Sequence, residues 1–308
     1  MMCSFVLRTP SYLIIRGNNL SNSREEAIKT LRGRNLNRRA NGFKHSTRAL
    51  AIPVTYLILF ASLIALISAT YSYAVVRIGA KGAVLRASVA KQNMLLLNDA
   101  IHSVAWSFGA STTVFMDDCG GNFHTLTSAK NLSINVTDGQ TFNETVFNSS
   151  IGKAYYELDS SESSYDGKFI KGDARTIINQ RSFTQTQLYS GTETAKELIL
   201  CYRPSVTIAA VGTHNGKPLN LIRINIINLN LSQNIMLGGS LHLRITSLNV
   251  FTSSRLYEFN QQISSLALTS YLDEAASSVW LPIASNEEGA AVTLEILVCN
   301  IAVQYAEV

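Results

Sequence analysis

From Ala49 to Val76 the chain runs for 28 residues without a charged side chain. A helix rising ~1.5 Å per residue covers roughly 42 Å over such a run, more than the ~30 Å hydrocarbon core of a bilayer requires. A single transmembrane helix is therefore expected here. Upstream stand ten basic side chains, from Arg8 to Arg48, against only Glu25 and Glu26. An excess of Lys and Arg marks the cytoplasmic side of a span. Residues 1–49 are thus expected to be a basic cytoplasmic leader, and everything after Val76 is expected to lie outside the cell.

The formal net charge of +5 belongs to this topology, because the residues after the leader hold 16 basic and 19 acidic side chains. No basic stripe with interleaved aromatics remains there, so nucleic acid is not an expected partner. Membrane lipid is. Tyr56 near the inner end of the run, and Tyr71 and Tyr73 near the outer end, suit the two bilayer interfaces.

After Arg77 the pattern becomes amphipathic. Ile78, Leu85, Val89 and Leu96 fall at steps of seven, four and seven, and Leu97, Ile101 and Val104 continue the stripe. One helix over residues 50–108 is expected, half in lipid and half in water, with a stripe that something must cover.

From Ser111 onward short β-rich runs alternate with turn residues, as in Asp117-Asp118-Cys119-Gly120-Gly121, Asp138-Gly139 and Gly238-Gly239. The clearest hairpin joins Ser205–Gly212 to Leu219–Leu231 through Asn215-Gly216, a type I′ signal. In its second strand Ile222, Ile224 and Ile226 share a face before Ile227, Leu229 and Leu231 take over, which predicts a bulge near Ile226. Leu241, Leu243 and Ile245, and likewise Val292, Leu294, Ile296 and Val298, alternate as half-buried strands. Ser270 with Asp273 predicts a capped helix through Trp280, stopped near Pro282. The fold class is α+β: a long N-terminal transmembrane and amphipathic helix, then an antiparallel β-sandwich over residues 109–308, Ig-like or pilin-like.

Five N-x-[ST] tripeptides follow the span, at Asn131, Asn135, Asn143, Asn148 and Asn230. They are the expected glycosylation sites, and the first four mark residues 128–152 as an exposed loop or edge. Of the four cysteines, Cys3 is in the leader, and Cys119, Cys201 and Cys299 follow the span. Cys201 and Cys299 both sit in apolar β-like runs, so either a cross-strand disulfide or two buried thiols accounts for them.

The chemistry-bearing patterns are missing. His45, His102, His124, His214 and His242 show no HExxH or HxH spacing, and Asp117 with Asp118 supplies too few oxygens for calcium. Neither GxGxxG nor GxxxxGK[ST] occurs. No catalytic, cofactor-binding or metal-ligating residue is assigned, no cofactor is expected, and an enzyme is not the reading.

The membrane entry reads Arg48-Ala49-Leu50-Ala51-Ile52-Pro53-Val54, and the apolar stretch after it is nearly twice the ~7–15 residues of a secretory signal. A basic and a small residue directly before such a stretch resemble the class III signal peptide of archaeal type IV pilins and pilin-like surface proteins. The likeness covers residues 48–107 in pattern and the β-rich part in architecture only. It implies that Arg48 and Ala49 are the recognition pair for a prepilin peptidase, that Leu50 begins the mature chain, and that the pilus assembly machinery and further copies in an oligomer or filament are partners. The expected function is a membrane-anchored cell-surface structural protein, a pilin-like subunit assembling through its apolar helix, with adhesion displayed by the β-domain. The alternatives are a single-span receptor or sensor whose β-sandwich binds a ligand and, further down, a membrane-anchored enzyme.

Overall fold

The computed structural model describes residues 48–158, 167–179, 184–191 and 197–307. The leader, with Cys3, lies outside them apart from residues 48 and 49. A single helix, α1, runs unbroken from Arg48 to Val104, 57 residues. It starts two residues before the expected position and stops four residues before it. The stop is set by Trp106, which adopts φ of 68°, a left-handed conformation that cannot continue the helix. Gly109 follows with φ of 76° and donates its amide to Ser247 O at 2.9 Å, which turns the chain onto the first sheet. Among the described residues one helix is long and apolar enough to cross a membrane, with a mean hydropathy of 2.0 in its most apolar window. The chain divides after Ser62: residues 48–62 are helix alone, and from Leu63 onward the rest of α1 forms one unit with the strands.

The strands among the described residues are β1 (Ser111–Met116), β2 (Gly121–Thr137), β3 (Asn143–Leu158), β4 (Phe169–Lys171), β5 (Thr186–Ser190), β6 (Glu197–Tyr202) and β7 (Ser205–His214), followed by β8 (Lys217–Asn228), β9 (Met236–Gly238), β10 (Leu241–Phe259), β11 (Ser265–Leu272), β12 (Ala275–Pro282) and β13 (Ala290–Tyr305). They make two curled sheets. One has the order β1-β10-β13-β8-β7, the other β12-β11-β2-β3-β6-β5-β4 with β9 added to β2. All named neighbours are antiparallel except β13 and β8, which run parallel from Leu219↔Ala291 to Asn228↔Asn300. The wholly antiparallel expectation is corrected at this pair. A parallel neighbour needs a long crossover, and the chain from β9 to β12 supplies it.

Two apolar cores fill the unit. In one the sheets pack directly, with Leu132, Ile134, Val136 and Leu268 against Ile222, Ile224, Val292 and Leu294. In the other α1 lies between them: Ala87, Ala90, Met94, Leu97 and Ile101 meet Phe123, Tyr156 and Leu200 of one sheet and Leu243, Ile245 and Ile301 of the other. Met94, Leu97 and Ile101 are fully buried, worth about 1.5–3 kcal/mol each.

This division explains the periodicity change that the sequence shows at Ile226. β8 keeps its register with β13 straight through that point, so the expected bulge is not there. Ile226 enters the sheet–sheet core and Ile227 the helix core, and in β13 Val298 and Cys299 make the same change one level across. Both faces are buried where the two cores meet. The irregularities in this sheet lie instead at Ser247/Asn249 of β10 and Ala210/Gly212 of β7.

The Asn215-Gly216 hairpin forms as the dipeptide dictates, with φ of 50° and 80°. The capped helix expected over Ser270–Trp280 does not form; the segment is the β11–β12 hairpin. Leu266, Leu268, Ser270 and Leu272 are buried at every second position, a period of two that no helix can satisfy. Asp273 is the turn residue, at φ of 53°; its amide donates to Asn131 O at 3.0 Å and its carboxylate Oδ1 accepts from Asn131 N at 2.9 Å instead of capping a helix.

Candidate functional site

From Pro53 to Tyr73 every side chain of α1 is exposed. Two of its hydroxyls are answered within the helix: Ser62 Oγ donates to Leu59 O at 2.8 Å and Thr70 Oγ1 to Leu66 O at 2.7 Å. No free donor from these two is therefore turned outward, which suits an apolar surrounding. At the far end Arg77 Nε donates to Tyr73 Oη at 2.9 Å, and the guanidinium stands 5.2 Å from the Tyr73 ring centre. Arg77 is the first charged side chain after the apolar run.

Beyond Arg77 the structure corrects which side of the helix the β-domain covers. The buried face is made of Ala83, Ala87, Ala90, Met94, Leu97 and Ile101. The periodic residues Ile78, Leu85 and Leu96 lie on nearly the opposite side and are 71%, 66% and 46% exposed, with Val84 at 64%. Of the expected stripe, Leu97, Ile101 and Val104 face the sheets, and Val89 packs against the same core while only partly buried. The chain's own described domain leaves the leading half uncovered.

Asn93 and Asn98, fully buried on α1, fix it in place. Asn93 Nδ2 donates to Asp117 O at 2.8 Å, and Asp117 N donates back to Asn93 Oδ1 at 3.2 Å, so the helix holds the β1–β2 turn. In that turn Asp118 accepts from Gly120 N at 2.7 Å. Thr186 Oγ1 donates to Asn98 Oδ1 at 2.6 Å and lies 2.9 Å from His102 Nε2. Burial first, then the charge of Lys171, lower the His102 pKa, so the imidazole is neutral and packs edge-on against Tyr202.

The processing residues Arg48, Ala49 and Leu50 form the first turn of α1. Asn131 and Asn135 lie on β2 and Asn143 and Asn148 on β3, so residues 128–152 are two paired strands and their turn rather than a loop, with the far side of β3 an open edge over this stretch. Only the turn from Asp138 joins them, and there Asp138 Oδ1 accepts the amides of Gln140, Thr141 and Phe142. Asn230 follows β8, with its amide oxygen buried and lacking a hydrogen-bond partner among the described residues. Cys201 and Cys299 are separate buried thiols on different sheets. Cys201 Sγ donates to Gln187 Oε1 at 3.5 Å, and Cys299 Sγ accepts from Trp106 N at 3.5 Å, so no disulfide joins them. Burial raises the Cys201 pKa and keeps it an unreactive thiol.

The remaining described histidines each have at least one close neighbour. His124 lies 3.5 Å from Glu157 and stacks on Tyr155, His214 lies 3.2 Å from Glu258, and His242 packs on Phe115. Among the described residues no group of three His, Cys, Asp or Glu side chains could hold a metal ion. A shallow groove of about 400 Å³ beside Asp138, Gln140, Glu258 and Asn260 is polar and open. Sequence reasoning missed two features: the alanine face, because Leu and Ile were weighted above Ala, and the enclosed Arg203, whose partners come from distant loops. Against protein-family models, curated proteins and solved structures, the chain has no match.

Proposed function

We propose that this chain is a membrane-anchored cell-surface subunit of pilin-like architecture, inserted with its basic leader in the cytoplasm and its β-domain outside, which assembles with further copies through α1. The observation that supports it is the outward stripe. A solitary anchored domain is expected to cover the amphipathic half of its own helix, yet Ile78, Leu85 and Leu96 stay exposed while alanines face the sheets. An apolar stripe continuous with an apolar span can pack against the same helix of a neighbour, first in lipid and then in a polymer. The role is structural and adhesive rather than catalytic.

Maturation fits the same reading. Pro53 has no amide to return to the Ala49 carbonyl, so the turn around Ala49 and Leu50 lacks one of its helical hydrogen bonds and opens readily for a peptidase. The intact mass of the protein from its own cells is expected to begin at Leu50, and Ala49→Phe is expected to leave the leader attached. Unchanged processing of Ala49→Phe counts against the peptidase. Recovery of the chain only as a membrane-bound monomer, never in sheared high-mass surface material, counts against assembly and favours a receptor.

A further inference from the structure

The register of β2 and β3 sets the four clustered tripeptides against one another. Asn131 pairs with Ser150 and Ser133 with Asn148; Asn135 pairs with Thr145 and Thr137 with Asn143. Each Asn of one N-x-[ST] tripeptide therefore faces the hydroxyl of its partner's tripeptide, twice over. Leu132, Ile134 and Val136 are buried between them, so Asn131, Ser133, Asn135 and Thr137 share the outward face. Down the ribbon the asparagines alternate between strands, and successive ones are diagonal neighbours about 7–8 Å apart. Asn131, Asn143 and Asn148 are exposed, and Asn135 Oδ1 accepts from Thr145 Oγ1 at 2.9 Å.

The flanks are equally specific. β11 and β12 extend this face with Ala267, Thr269 and Tyr271, paired in turn with Trp280, Ser278 and Ala276. No charged side chain stands in these rows. Trp280 is 57% and Tyr271 43% exposed, and the Trp280 ring reaches over the β2–β3 turn beside Gly139. On the other flank β6 joins β3 only from Ala154 to Glu157, so the stretch of β3 bearing Asn143 and Asn148 keeps that side open to a bulky group.

We propose that the outward face of the β2–β3 ribbon is an N-glycosylated surface, modified at Asn131, Asn135, Asn143 and Asn148, with Trp280 and Tyr271 as the floor on which the attached neutral sugars rest. The inference depends on the β-domain being outside the cell. The donor is an oligosaccharide linked through phosphate to a lipid. The Asn amide nitrogen forms a bond to the anomeric carbon as the bond from that carbon to the phosphate oxygen breaks. The amide proton passes to a base of the transferase, the phosphate leaves with the electron pair, and no oxidation occurs. Exposed aromatic rings take the apolar faces of sugars, while the neighbouring amides and hydroxyls answer their hydroxyl groups.

Asn230 is the internal control. It carries the same tripeptide, but its amide oxygen is buried and Ser232 Oγ accepts from Val303 N at 3.1 Å, so a sugar there would disrupt the end of β8. Peptide mapping by mass spectrometry of the full chain from its own cells is expected to find sugar on the β2–β3 asparagines and none on Asn230. Thr137→Ala is expected to remove the adduct from Asn135 and leave Asn143 modified. Trp280→Ala is expected to keep occupancy while speeding glycosidase release of the sugars at least threefold; an unchanged rate overturns the aromatic floor. Sugar on Asn230, or bare peptides across 131–150, overturns the site. Protease added to intact cells separates the causes: a bare domain that is digested leaves the outside reading standing and sinks the glycan surface alone, whereas a bare domain that is shielded sinks both.

Discussion

Arg203 is the largest side chain that the fold hides completely. Its guanidinium donates to the carbonyl oxygens of Asp173, Arg175 and Thr184 and to the Asp173 carboxylate, so one buried cation ties the loop before β5 to the end of β6. The Asp173 carboxylate is 38% exposed and keeps Arg175 as a partner, so the loss falls on the carbonyl oxygens that Arg203 satisfies, at about 1–3 kcal/mol for a group left without a donor. Arg203→Met is expected to cost the domain an amount in that range, read from its denaturant midpoint. The pH dependence follows from Asp173, whose carboxyl is held well below the usual range by hydrogen bonds from Arg175 and Arg203 against an opposing effect of burial. A carboxylate whose pKa is depressed on folding stabilises fully above its unfolded value near 3.9, and loses that contribution as pH falls toward the folded one. Stability from this group is therefore expected to be flat from pH 8 to 5 and to decline only in stronger acid. Asp173→Asn is expected to lose it at neutral pH, which urea titrations at pH 7 and pH 3 will register. None of this is legible in the sequence, because Arg203 and Asp173 are 30 residues apart and nothing periodic links them.

At the scale of the element, α1 and the Asn215-Gly216 hairpin were the parts most open to reading. Both rest on local rules: an uncharged run in the first case, and a dipeptide that tolerates positive φ at both positions in the second. The β11–β12 hairpin was misread because Ser270 and Asp273 have helix-capping spacing, while the alternation of Leu266, Leu268 and Leu272 carries the stronger demand of a buried sheet face. The reciprocal pairing of the glycosylation tripeptides was hidden for a different reason. It depends on register across two strands and on a shift between Ile134 and Asn135 that no single strand reports. The amphipathic half of α1 has two apolar faces, one of alanines and one of large residues, and periodicity cannot say which the domain takes. Substitutions separate them. Ala90→Leu is expected to overpack the contact with the sheets and destabilise by about 1–3 kcal/mol. Leu85→Ser, at an exposed site, is expected to stay within about 0.5 kcal/mol in the isolated domain while lowering the yield of high-mass assemblies. Equal effects of the two changes on stability would contradict this division of faces.

For the whole molecule, one continuous helix carries an exposed apolar half and a half packed in the β-domain, and the boundary between them can be cut. Among the described side chains the first buried one of α1 is Ala83, and everything from Pro53 to Tyr73 is exposed. A chain beginning at Arg77 therefore keeps every buried residue of both cores and discards the surface that requires lipid or a neighbour. Exposed apolar patches of that extent are seldom tolerated in water, so the full chain is expected to need detergent and the shortened one to need none. The shortened chain is expected to be monomeric by light scattering. Its unfolding midpoint should match that of the detergent-held full chain within about 2–4 °C, the shift that 1 kcal/mol produces in a domain of this size. Ile78, Leu85 and Leu96 remain exposed on it, but three partly solvated side chains offer far less burial than the span and do not by themselves hold two copies together. If the shortened chain still forms high-mass polymer, the contacts that build it lie between β-domains, and the helix is an anchor rather than the assembly element.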